Sequence, residues 1–182
     1  MELLIDHLET PIGLMRIVCD DLGNLRGTDW DDHEDRLLRF LKIHYGAAAQ
    51  HLKRVKNPHG LSEVMRRYFE GDITAIDALP AENNGTEFQR DVWNELRRIP
   101  AGTTISYGQL AERIGRPTAV RAVGLANGSN PVGVVVPCHR VIGSNGKLTG
   151  YGGGLPRKEW LLRHEAQYSS PLFGRSAAAT GT

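Results

Sequence analysis

A cysteine and a histidine are neighbours in the segment Pro137-Cys138-His139-Arg140. Only the ionised form of a thiol is a good nucleophile, and an adjacent imidazole can take its proton. The pair is therefore the minimum apparatus for nucleophilic sulfur chemistry. The alternative is an inert cysteine, because free cysteine is among the most buried residue types.

The segment before this pair is apolar and rich in β-branched residues. Residues 130–136 have the sequence Asn-Pro-Val-Gly-Val-Val-Val, a pattern typical of a buried strand. We expect this strand to deliver Cys138 and His139 at its end. Few structural reasons place a histidine beside a cysteine in that position.

Composition bounds the class of protein. The chain has 182 residues, 22 Lys and Arg against 21 Asp and Glu, and a formal net charge of +1. This balance neither favours nor excludes a nucleic-acid partner, and a basic surface would have to be local. Its apolar runs fall short of the ~18 residues that span a bilayer, and its first residues do not resemble a secretory signal. Cys19 and Cys138 are far apart without CxxC spacing, so we expect a cytoplasmic protein without a membrane partner, a disulfide framework, a metal or a cofactor.

The N-terminal half, residues 1–80, mixes strand and helix patterns and predicts an α/β domain. Its histidines are scattered, and we expect surface or structural roles for them. Residues 81–85 are polar and turn-rich, so we place a linker there. The predicted elements of this half are strands at 14–19 and 25–30 and helices at 33–45 and 61–69.

Two capping boxes open helices in the C-terminal half. Thr86 and Ser106 are each followed three residues later by glutamine, which predicts one helix reaching residue 98 and another ending at residue 115. Pro117 suits the first position of a third helix over residues 118–126. The last two helices form a helix-turn-helix candidate, although many connected helices share this pattern.

The third helix is nearly bare, and Arg121 is the long side chain that projects from it. Small residues let a helix lie close to another helix, with Arg121 merely solvated. They equally let it approach a nucleic-acid backbone while Arg121 enters a groove. Composition favours the first interpretation, and both stay open at this point. The small residues are Ala119, Ala122, Gly124, Ala126 and Gly128.

Residues 124–143 are similar to the active-site signature of the O6-alkylguanine-DNA alkyltransferases, with the Pro-Cys-His-Arg-Val sequence at their centre. Residues 106–111, 150–155 and 158–165 match that family in order and spacing. The resemblance is dense over residues 86–165, and the N-terminal half resembles the bacterial Ogt-type members more loosely.

The resemblance implies two domains. The N-terminal α/β domain would have a ribonuclease H-like fold, and residues 86–166 would form a mostly helical, winged-helix-like unit that binds double-stranded DNA in the minor groove. Residues 167–182 are small and polar, so we expect a disordered tail. The protein would act as a monomer, and cooperative binding along DNA is known in the family.

The implied reaction is the single-turnover transfer of an alkyl group from O6 of guanine, or O4 of thymine, to Cys138. The family's relay implies that Glu165 orients His139, which deprotonates the thiol through a water. Arg121 corresponds to the side chain that fills the gap left by the flipped base. Tyr107 corresponds to the tyrosine that assists flipping and donates to guanine N3.

The remaining roles also rest on the resemblance. The family often has serine where this chain has Gly152, so we expect a wider pocket that tolerates bulky adducts and O4-alkylthymine. Asn130 corresponds to a hinge asparagine, although an Asn-Pro pair also forms turns for purely structural reasons. Phosphate contacts are expected from Arg113, Arg116 and Arg140. The implied DNA-contacting residues are Tyr107, Ala119, Ala122, Gly124, Asn127 and Gly128, and the implied pocket residues are Pro137, Val141, Tyr151, Gly152, Gly153 and Leu155.

Three other functions compete with this one. A cysteine hydrolase would need an oxyanion hole and no bare helix carrying Arg121. A lesion binder that does not react would lack the cysteine of the signature, which is present as Cys138. A helix-turn-helix transcription factor would carry base-reading Arg, Asn or Gln side chains along the helix in place of Ala and Gly.

Overall fold

The computed structural model of the chain describes residues 1–169. The strands are β1 (Leu3–Thr10), β2 (Gly13–Asp20), β3 (Leu25–Trp30), β4 (Leu52–Arg54), β5 (Ile105–Ser106) and β6 (Val141–Ile142). The helices are α1 (Glu34–Tyr45), α2 (Leu61–Phe69), α3 (Glu87–Leu96), α4 (Tyr107–Arg113), α5 (Val120–Gly128) and α6 (Leu155–Ser169). The fold is thus mixed α/β, with an N-terminal sheet and C-terminal helices. Within these residues, no helix combines the length and apolarity that a membrane crossing requires.

The N-terminal sheet has the strand order β3-β2-β1-β4. β1, β2 and β3 pair antiparallel in sequence, and β4 joins the far side of β1 in parallel. The two strands predicted at 14–19 and 25–30 are confirmed, as are the helices at 33–45 and 61–69. The sequence interpretation did not identify β1.

Both faces of this sheet are buried. On one face Val18 packs with Leu37 and Leu41 of α1 in a small core. On the other, Met15 of β2 belongs to the main core, which also contains Met65 of α2 and the valines that precede Cys138. The main core therefore joins the two halves of the chain around the thiol.

The capping boxes are confirmed at both predicted positions. The Thr86 hydroxyl accepts from the backbone N–H of Gln89 at 3.2 Å, and the Gln89 side chain accepts from the N–H of Thr86 at 3.0 Å. Ser106 and Gln109 repeat the arrangement at 3.1 and 2.8 Å. Each box satisfies two N–H groups that a helix start leaves without partners, and a cap contributes about 1 kcal/mol.

Residues 130–136 do not form the predicted strand. Only isolated bridges occur there, and the chain reverses at Val134, whose φ is +73°. The N–H of Val136 returns to the carbonyl of Val132 at 2.9 Å. The valines are buried as expected, so the β-branched pattern correctly predicted burial but not strand pairing.

Several helix boundaries also differ from the prediction. α3 ends at Leu96 and α4 at Arg113, each two residues before the predicted end, and α5 ends at Gly128, two residues after it. α5 begins at Val120, so Pro117 lies outside the helix, in the turn that precedes it. The N–H of Ala119 bonds to the carbonyl of Arg116 at 3.0 Å in this turn, which delays the helix start. At the other end, α6 continues through Ser169, so the first three residues of the predicted tail are helical. The rest of that tail, residues 170–182, lies outside the described residues.

Candidate active site

Cys138 opens the one-turn helix Cys138–Arg140, is only 8% exposed and lines a cavity of about 400 Å³. One wall of the cavity comes from the N-terminal sheet and α1, including Asp29, Trp30 and Arg36. The C-terminal half supplies the opposite wall. The sequence-predicted residues on that wall are Tyr107, Gly124, Asn127, Gly128, Asn130, Tyr151, Gly152 and Gly153.

His139 and Glu165 form a fully buried pair. The His139 Nε2 atom lies 2.9 Å from Glu165 Oε2, and both side chains are 0% exposed. An ionised carboxylate only accepts hydrogen bonds, so the proton of the neutral imidazole is assigned to Nε2. Nδ1 then carries a free lone pair, and it has no hydrogen-bond partner within residues 1–169. His139 is therefore set up to act as a base through Nδ1.

Glu165 is the centre of a larger buried network. Its carboxylate accepts from the Tyr68 hydroxyl at 2.6 Å, from His139, and from Nε and Nη2 of Arg140, both at 2.8 Å. Burial alone would raise the pKa of Glu165, but the imidazole of His139, which is positively charged whenever it takes up a proton, and the hydrogen bonds of Arg140 and His139 outweigh burial and hold the pKa far below its usual range. The carboxylate is therefore ionised and orients the imidazole.

The resting thiol of Cys138 is neutral. Burial raises its pKa, although a hydrogen bond from Asn130 and the charges of Lys158 and Arg36 work in the opposite direction. A thiol in this state attacks poorly until a base removes its proton. The adjacent His139 is the group in the structure that can do so.

Asn130 holds the turn that leads to Cys138. Its side-chain amide donates to the Val136 carbonyl at 2.7 Å and accepts from the Val132 N–H at 3.0 Å. The turn-forming interpretation of this residue is thereby confirmed. The hinge interpretation stays a prediction.

The loop that closes the cavity, residues 149–154, is fixed by Lys158. The buried ammonium of Lys158 donates to the carbonyls of Val141 at 2.6 Å and Thr149 at 2.7 Å. From the other side, the Tyr107 hydroxyl donates to the Thr149 carbonyl at 3.3 Å. Burial, and next the negative charge that Cys138 carries once it is ionised, raises the pKa of Tyr151 well above its usual value, so this phenol of the loop is neutral.

Gly152 does not widen the pocket as the sequence suggested. A Cβ atom built on Gly152 would lie 2.5 Å from Nη1 of Arg36. The guanidinium of Arg36 therefore occupies the space that the missing side chain leaves, and Nη1 donates to the Gly152 carbonyl. The expected enlargement at this position is wrong.

The bare helix α5 presents several of its small residues outward, although Ala126 is buried in the main core. Ala122, Gly128 and Arg121 are exposed, and Ala119 is partly exposed. Arg121 makes no hydrogen bond or ion pair with the part of the chain that the structure describes. Tight packing against another helix therefore does not account for this surface.

Several predicted residues lie elsewhere. Leu155 is 45% exposed, and neither it nor the buried Pro137 and Val141 lines the cavity. The Val141 carbonyl accepts a hydrogen bond from Lys158 and so belongs to the contacts that hold the loop. A phosphate contact from Arg140 is wrong, because this side chain is buried against Glu165 and the Ile99 carbonyl.

The other two arginines proposed for phosphate contacts are exposed. Arg113 lies 4.0 Å from Glu95, and the guanidinium of Arg116 lies over the ring of Phe88. Both remain available to a ligand, and their role stays a prediction.

Sequence reasoning missed three contributors, namely Arg36, Tyr68 and Lys158. Arg36 and Tyr68 contact partners 116 and 97 residues away, and no local pattern announces such contacts. Lys158 lies one helical turn after the Gly-rich loop in a matched segment, which was a usable signal for a side chain that binds the loop's carbonyls.

Comparison with known proteins places the chain among DNA-repair proteins. Residues 87–167 match the family described as 6-O-methylguanine DNA methyltransferase, DNA binding domain. The chain is 52% identical over 165 residues to the methylated-DNA–protein-cysteine methyltransferase of Shigella flexneri, which covers 91% of this chain and 96% of that protein.

Solved structures agree with this match. The O6-methylguanine methyltransferase of Mycobacterium tuberculosis is 36% identical to this chain and superposes on it with a TM-score of 0.74. The superposition covers 93% of this chain and 96% of the M. tuberculosis chain. A complex of the M. tuberculosis protein with DNA superposes with a TM-score of 0.74 at 34% identity, over 94% of this chain and 96% of that one.

The fold, the buried thiol and the DNA-binding match together define a DNA-binding protein that accepts an alkyl group. The chain belongs to the methylated-DNA–protein-cysteine methyltransferase family, and the Ogt-type resemblance is confirmed. Its activity is the repair of DNA by alkyl transfer to a cysteine of the protein itself.

Proposed function

We propose that Cys138 is the acceptor and that the chain repairs O6-alkylguanine in DNA in a single turnover. The observation that carries this assignment is the buried Cys138, followed directly by a His139–Glu165 pair, at a cavity that α5 also lines. Cys19 does not compete, because burial, together with the charge of Asp20, raises its pKa to about 11 and it lies in the core between the sheet and α2.

The reaction begins with proton transfer from the Cys138 thiol to Nδ1 of His139, through a water. Glu165 holds the imidazole and stabilises the imidazolium that forms. The thiolate attacks the alkyl carbon, so a carbon–sulfur bond forms while the bond from that carbon to guanine O6 breaks. The guanine leaves as an anion and takes a proton from water, and the imidazolium of His139 returns its proton to water, so that protons and charge balance. The thioether is inert, which limits each molecule to one reaction.

Access to the lesion requires base flipping. The alkyl carbon lies within the base stack, and extruding the nucleotide costs a few kcal/mol. We propose that α5 enters the minor groove and that Arg121 fills the vacated position, since this side chain is exposed and without a partner within residues 1–169. Ala119, Ala122, Gly124 and Gly128 would let the backbone approach DNA closely, whereas the predicted DNA contact of Asn127 is not proposed, because this side chain is buried and donates to the Cys138 carbonyl.

Tyr107 lies at the mouth of the cavity, where it reaches both Thr149 and the base pocket. It is partly exposed and its ring lies against α5 at Gly124. From this position the phenol would assist flipping and donate to guanine N3, which stabilises the leaving base. Tyr151, Gly152 and Gly153 would face O6, with Asn130 as hinge.

Finer features of the proposal follow the family. The same site would accept the group from O4-alkylthymine, and the protein would act as a cytoplasmic monomer that can bind cooperatively along DNA. The strand order with β4 parallel to β1 supports a ribonuclease H-like N-terminal domain. The pair α4 and α5 beside the short β5–β6 sheet supports a winged-helix-like domain after a linker at 81–85.

The test is a mass measurement. The reduced protein is incubated with an excess of duplex DNA that contains O6-methylguanine, and the peptide holding Cys138 is weighed. We expect one added methyl group per molecule, none on Cys19, and none in Cys138→Ser, which should still bind the lesion. A methyl group found on another residue, or transfer by Cys138→Ser at the normal rate, would overturn the assignment.

A further inference from the structure

The contact between Arg36 and Gly152 brings a charged side chain of the N-terminal half beside the reactive sulfur. Arg36 is on α1, and the side chain lies in the same cavity as Cys138. The position that a Cβ of residue 152 would take is 2.5 Å from Nη1 and 3.0 Å from Cζ of the guanidinium. A side chain at residue 152 and the guanidinium of Arg36 therefore cannot occupy this space together.

Asp29 holds the guanidinium of Arg36 in place. Asp29, at the end of β3, accepts from Nε of Arg36 at 2.8 Å and from Nη2 at 2.5 Å, a two-point contact that fixes the plane of the group. Nη1 donates to the Gly152 carbonyl. Arg36 thus ties the loop at 149–154 to the N-terminal sheet.

Donors remain for a ligand. A guanidinium has five N–H groups, and three are used by Asp29 and the Gly152 carbonyl. One N–H on each terminal nitrogen is left, and the side chain is 38% exposed. These donors belong to a side chain that lines the same cavity as Cys138.

We propose that Arg36 is a specificity-determining residue of this site: its guanidinium sets the width of the pocket beside Cys138 and fixes the loop that closes it. Small substituents fit beside the guanidinium, whereas bulky ones require it to move. The proposal rests on the proposed function of Cys138. It assigns to the N-terminal half a direct part in choosing the substrate.

The test compares four variants on duplexes that contain O6-methylguanine or O6-benzylguanine, with the transfer rate measured for each. Arg36→Ala should lower the methyl rate about tenfold, the loss of one charge-assisted hydrogen bond, and should raise the benzyl-to-methyl ratio by about tenfold. Arg39→Ala is the matched control: it removes the same charge from α1 at the cavity's rim, from a side chain that bonds to nothing in residues 1–169.

The decisive comparison is a double-mutant cycle. Gly152→Ser should slow both substrates, because the new side chain displaces the guanidinium. In the double variant Arg36→Ala/Gly152→Ser the serine has room, so the methyl rate should exceed that of either single variant. Thermal melting of each variant separates these effects from a loss of the fold.

Two results would overturn the inference. One is an Arg36→Ala variant whose ratio of benzyl to methyl transfer rates is unchanged, which would mean that Arg36 has only a structural role. The other is a double variant whose loss is the product of the two single losses. If the unaltered protein itself gains no alkyl mass on Cys138, the proposed function fails, a result distinct from either of these.

Discussion

Replacing Glu165 by glutamine tests the buried network that orients His139. The change keeps the shape of the side chain but removes its charge, and it leaves the guanidinium of Arg140 buried without a counter-ion. Breaking a buried ion pair from one side costs about 3–5 kcal/mol. At ~2–4 °C per kcal/mol for a chain of this size, the melting temperature should fall by roughly 6–20 °C.

The assay is thermal unfolding followed by circular dichroism, with Glu159→Gln as the matched control. Glu159 is on the same helix, and its pair with Arg163 is exposed on both sides, so its loss should cost about 0–1 kcal/mol. The double variant Arg140→Met/Glu165→Gln removes both buried charges and should recover much of the loss. If Glu165→Gln has the same melting temperature as Glu159→Gln, the reasoning about the network is refuted.

Three further predictions follow from the same site. Tyr68→Phe removes one hydrogen bond to the Glu165 carboxylate and should lower the free energy of unfolding by about 1.5–3 kcal/mol in urea titrations; no loss would mean that the bond is not formed in solution. Because the pKa of Glu165 lies below its ordinary value of 4.5, its stabilisation is complete above that pH and is lost as the pH falls, so acid unfolding should be less steep in Glu165→Gln. Arg121→Ala should slow the repair of duplex DNA far more than the reaction with free O6-benzylguanine, and equal losses in the two assays would remove Arg121 from base flipping.

Local signals were predicted well and long-range contacts were not. The capping boxes at Thr86 and Ser106 depend on residues three positions apart, so the sequence displays them fully. The valines around Val134 were predicted as a strand, because a run of β-branched residues does not distinguish a strand from a buried turn. Both kinds of segment exclude water in the same way.

The site divides along the same line. Residues 137–140, Glu165 and Arg121 belong to a specific pattern and could be named from the sequence. The pairing of Arg140 with Glu165 could not be predicted from the sequence. The residue type alone does not distinguish an arginine that pairs with a buried carboxylate from one that contacts DNA. Arg36 became visible only when the fold brought α1 to the loop that closes the cavity.

The neutral state of Cys138 has a consequence for how long the protein keeps its capacity to act. A molecule that reacts once is lost if an oxidant or a stray electrophile reaches its sulfur first, and such agents select exposed thiolates. Burial keeps this sulfur protonated and 8% exposed, which makes it a poor target for them. The same burial that slows the thiol at rest therefore preserves the protein until damaged DNA arrives.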